Sequence, residues 1–62
     1  MNGILFIVEL EKDVYIAPWD GDPGRTVVRG NAERFEYLID ANTSLDKARG
    51  YRPFKDAKVR IF

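Results

Sequence analysis

Sixty-two residues make one domain, residues 1–62, and a chain this short buries only about 60% of its unfolded surface on folding. It has no Cys and no His, which removes disulfides, the usual metal ligands and the Ser-His and Cys-His nucleophile pairs together. Its ten basic and ten acidic residues cancel, but residues 1–24 hold five acids against Lys12 alone, whereas residues 45–62 hold six bases against Asp46 and Asp56.

The apolar run Ile4-Leu5-Phe6-Ile7-Val8 has no basic residue before it and no small-residue cleavage site after it, so a signal peptide is not expected. Five residues also fall far short of the roughly 20 that span a bilayer as a helix. The expectation is a cytoplasmic chain with no membrane contact. Ile4, Phe6, Val8 and Leu10 share one face of a strand, and Leu5 and Ile7 the other, followed by Glu9 and Glu11. That pattern suits a strand buried on both faces at its start and on one face at its end. Val14 to Trp19 reads as a second strand, with Glu11-Lys12-Asp13 as the turn. This loop length places Leu10 opposite Val14 and Val8 opposite Ile16, so the aliphatics agree in face. The turn lacks the Gly that usually marks such a loop.

The register sets Leu5, Ile7, Tyr15, Ala17 and Trp19 on the opposite face. One helix covers only one face of a small sheet, so this second face is either partly exposed or covered by something else. Next comes Pro18-Trp19-Asp20-Gly21-Asp22-Pro23-Gly24-Arg25-Thr26, with two glycines, two prolines and the only tryptophan in nine residues. Such a cluster specifies a tight loop with a large aromatic side chain at its edge. Thr26-Val27-Val28 restarts a short strand and Gly30-Asn31 breaks it.

Phe35, Tyr37 and Ile39 alternate as a strand would, whereas Leu38, Ala41, Leu45 and Ala48 recur at helical spacing. The favoured reading is one helix over about residues 37–49, with Gly50 just past its end and Pro53 soon after. The competing reading is a strand to Ile39 and a short helix from Ser44, because Thr43 and Asp46 match a capping box. Residues 57–62 alternate as a final strand. The sum is an α+β domain: a small, mainly antiparallel sheet of a β-hairpin, a short strand and a C-terminal strand, packed on one helix in the order β-β-β-α-β.

The segments 7–17 and 18–26, then Asn31-Ala32-Glu33-Arg34-Phe35, then Ala48-Arg49-Gly50-Tyr51-Arg52-Pro53-Phe54, resemble small proteins of bacterial phages and prophages. The loop and the Tyr-Arg-Pro-Phe stretch are the more specific parts. The resemblance implies a mobile-element origin and carries no activity with it. It also implies a helix where this chain has Tyr37 to Leu45, although here that segment is less basic.

Catalysis is not expected. Ser44 is the only serine and reads as a helix or cap residue, and Asp20 and Asp22 read as turn residues that accept local hydrogen bonds. Asp20-x-Asp22 is a fragment of a calcium loop without the sixth-position Gly or the closing Glu, so no metal is expected, and no cofactor. Gly24-Arg25-Thr26 can form an anion nest, but reads better as a loop returning to a strand. Two binding hypotheses remain. The first is protein–protein interaction, with a second copy (a possible homodimer) or an unknown partner, through Leu5, Ile7, Tyr15 and Trp19. The second is nucleic-acid binding through Arg49, Arg52, Lys55, Lys58 and Arg60, interleaved with Tyr51, Phe54 and Phe62.

Overall fold

The hairpin begins with β1 (Phe6–Glu11) and β2 (Val14–Ile16) in a computed structural model that describes residues 3–62. Glu9 pairs with Tyr15, the register that sets Val8 opposite Ile16. Nearer the turn the register shifts, and Glu11 rather than Leu10 faces Val14. Leu10 is the extra residue of this bulge and stays buried. The turn closes without glycine because Asp13 takes the left-handed region, at φ 62°, which Asp tolerates better than most residues. Its N–H donates to a Glu9 carboxylate oxygen at 3.4 Å.

β2 is shorter than the expected Val14–Trp19, and proline explains where the ladder stops. In the hairpin register Phe6 would face Pro18, which has no N–H to donate. Phe35 takes that place, donating to and accepting from Phe6 at 2.8 Å each way. Glu33 N–H likewise donates to the Ile16 carbonyl at 2.8 Å. Residues 33–35 therefore fill the gap between the ends of β1 and β2.

β3 is Arg25–Thr26, paired to β2, and does not run on to Val28 as expected. The Thr26 hydroxyl oxygen accepts the Val28 N–H at 3.0 Å, turning the chain away from the sheet and leaving Val27 72% exposed. A 3-10 turn over Arg29–Asn31 then brings it back.

Helix α1 spans Leu38–Arg49 and buries Ala41, Leu45 and Ala48, the helical spacing read in the sequence. Asn42-Thr43-Ser44 lies inside it, and the Thr43 hydroxyl donates to the Ile39 carbonyl at 3.0 Å. Thr43 thus satisfies itself within the helix and does not cap a later one. Asp40 in the first turn and Lys47 and Arg49 in the last suit the helix dipole. After Gly50 a 3-10 turn, Arg52–Phe54, leads to β4 (Lys58–Ile61).

The four antiparallel strands lie in the order β3-β2-β1-β4, and the elements run β-β-β-α-β along the chain, as the sequence indicates. This is an α+β fold with one helix on one face of the sheet. The main core joins Val8, Leu10 and Ile16 from the sheet to Leu45, Ala48, Phe54 and Ala57. A second, smaller core of Ile7, Tyr15 and Ala32 lies on the other face. The second face is therefore closed by the chain itself, through the irregular segment that carries Ala32. Ile7 is 0% exposed and Tyr15 7%, so neither offers surface to a partner. No helix among the described residues is long and apolar enough to cross a membrane.

Candidate binding surface

The loop before β3 is held by contact. A Cβ on Gly24 would lie 1.9 Å from the Trp19 carbonyl oxygen, and one on Gly21 would lie 2.7 Å from the Gly24 Cα. Both glycines have negative φ, so the close approach of backbone to backbone, not the dihedral, demands them. The Asp22–Pro23 peptide is cis, and Ala17 N–H donates to the Gly24 carbonyl at 2.9 Å across the neck of the loop. Arg25 donates to the Pro23 carbonyl at 2.9 Å, and its guanidinium lies 5.6 Å from the Phe54 ring centre. Together with the Thr26–Val28 bond, this commits the Gly24-Arg25-Thr26 stretch to the loop.

Trp19 projects from that loop, 50% exposed. It borders a shallow groove of about 410 Å³, shared with Pro18, Asn31, Ala32, Glu33 and Arg34. Of the four residues expected to meet a protein partner, Ile7 and Tyr15 are core, Leu5 is half-buried and Trp19 alone is well exposed. Leu5 is tied to the last residue, its carbonyl accepting the Phe62 N–H at 2.8 Å.

The five expected nucleic-acid residues differ in what they contact. Arg49 donates from Nε and Nη2 to the Ala57 carbonyl at 3.1 and 3.0 Å, clipping the end of α1 to the start of β4. Arg60 pairs with Glu9 at 3.0 Å, and Lys58 faces Glu9 across the strands. Arg52 and Lys55 are exposed in the turn after the helix. The groove of about 460 Å³ beside this turn sets Lys12, Lys58 and Arg60 against Glu9, Glu11 and Asp56. Balanced charge of this kind does not make a track for phosphates.

Two arginines outside that set do gather. The guanidinium carbons of Arg29 and Arg34 lie 5.3 and 4.5 Å from the centre of the Phe62 ring, within cation–π range. Arg29 donates to the Ile61 carbonyl at 3.1 Å, and Arg34 to the Gly30 carbonyl. Phe62 is 41% exposed. Arg34 also borders the Trp19 groove, so the two features are contiguous. Sequence reading missed both arginines, because residues 25–44 are balanced in charge and nothing local shows that the turn after β3 returns to the last strand.

Among the described residues no three acidic side chains come together as a metal site would require. Searches against protein-family models, curated proteins and solved structures return no match to this chain.

Proposed function

We propose that this chain is a small non-enzymatic binding module, of phage or prophage origin and cytoplasmic, that acts by docking a protein partner or a second copy of itself through Trp19. The half-exposed indole carries the reading. It stands on a loop whose backbone approaches itself too closely for a side chain at Gly21 or Gly24, beside a groove walled by Pro18 and Ala32. Tryptophan on a rigid support is the side chain most enriched among residues that dominate interface energies, because little freedom is lost on binding. The buried positions of Ile7 and Tyr15 narrow the surface to this groove and its rim. The test is sedimentation equilibrium of the native chain and of Trp19→Ala, alone and with any isolated partner, at low and high salt. Association that survives salt and is lost in the variant supports the reading. Association indifferent to Trp19, or dissolved by salt alone, contradicts it.

A second reading, binding of single-stranded nucleic acid, draws support from Arg29, Arg34 and Phe62, with Lys58 and Arg60 on the neighbouring strand. Its mark is affinity for an oligonucleotide that falls steeply as salt rises.

A further inference from the structure

We infer that Arg29 and Arg34 together form a binding site for a phosphate group. Both guanidinium carbons lie within 5.3 Å of one ring centre, so the two charges are separated by no more than about one Debye length, about 10 Å at 0.1 M salt. Neither has a carboxylate partner among the described residues, where the ion pair present is Arg60 with Glu9. The chain holds both like charges at one shared aromatic ring, with one backbone carbonyl accepting from each. A guanidinium has five N–H donors in a planar fork and each uses one of them here, so both keep donors for a further acceptor. Phosphate, with two or more non-bridging oxygens and one or two negative charges, matches a pair of such forks and neutralises their charge. Stacking on Phe62 restricts both side chains in advance, which lowers the ordering cost of binding.

This site does not depend on the Trp19 groove docking a protein. The same phosphate chemistry arises in a free phosphate or monoester and in the diester of a nucleic acid, and separate arms of one experiment tell these apart. The arginine Nε–Hε signals of the native chain are followed by NMR during titration with inorganic phosphate, and separately with a short oligothymidylate. The site predicts saturable shifts at Arg29 and Arg34, with smaller ones at Arg52. Arg29→Gln and Arg34→Gln should each weaken phosphate binding roughly tenfold or more, as expected for losing a charge-assisted contact. Arg34→Lys, which keeps the charge and loses the fork, should fall between. Amide spectra of each variant report whether the fold is intact, and Arg34→Lys is the variant least able to disturb it.

Tighter binding of oligothymidylate than of phosphate, with a log–log salt slope of about −1.4 for two contacts, assigns the ligand as nucleic acid. Binding of inorganic phosphate with no gain from the oligonucleotide assigns a small phosphorylated ligand and removes the nucleic-acid reading. Shifts that persist in the Arg29→Gln/Arg34→Gln double variant, or that spread equally to every exposed arginine, overturn the site.

Discussion

At the scale of single residues, Gly24 and Arg49 show how closely side-chain choice is tied to position. A methyl group at Gly24 would overlap the Trp19 carbonyl oxygen, a backbone atom that can yield only if the loop itself shifts. Gly24→Ala should cost about 3 kcal/mol in a urea titration, at the upper end of overpacking penalties. A methyl at Gly30 meets nothing within 4 Å and φ there is not positive, so Gly30→Ala should gain about 0.5 kcal/mol by restricting the unfolded chain. Arg49→Met keeps the aliphatic stem and removes both bonds to the Ala57 carbonyl. It should lower stability by about 1–2 kcal/mol and leave any oligonucleotide affinity unchanged, because its donors face inward to the chain.

At the scale of elements, Thr43 decides between the two readings of the central helix. If it were the cap of a short helix, Thr43→Ala would cost about 1 kcal/mol. Inside the long helix, with its hydroxyl folded back on Ile39, the same change should gain about 0.5 kcal/mol from helix propensity. Thermal or urea unfolding reads the sign directly. The helix itself was legible because Leu38, Ala41, Leu45 and Ala48 repeat at the helical period, and the hairpin because its aliphatics agree in face in only one register. The pairing of Phe35 with Phe6 was not legible. Phe35 alternates with Tyr37 and Ile39 in the sequence, but only Phe35 pairs, as a single bridge, and the missing donor at Pro18 that calls for it lies seventeen residues away in the sequence. The short β3 was misread for a related reason: valine favours strands, but the Thr26 hydroxyl diverts the backbone first. The candidate site was half legible. Trp19 stood out by composition and loop chemistry, whereas Arg29 and Arg34 owe their meeting to tertiary geometry alone.

At the scale of the whole molecule, the question set by the sequence was what covers the second face of so small a sheet. The answer is an irregular stretch of the same chain, which sets Glu33 and Phe35 between the diverging ends of β1 and β2 and seats Ala32 against Ile7 and Tyr15. A domain of this size then has two small cores in place of one, and its exposed surface is what remains outside them. Truncation of Ile7, a fully buried side chain, to Ala should therefore cost about 3 kcal/mol in the isolated monomer. The most direct test is amide hydrogen exchange of Glu33 and Phe35 across a dilution series into the monomeric range. Protection comparable to β1 and independent of concentration is the predicted result. Exchange at free-peptide rates, or protection that fades on dilution, would contradict it and return the second face to a partner.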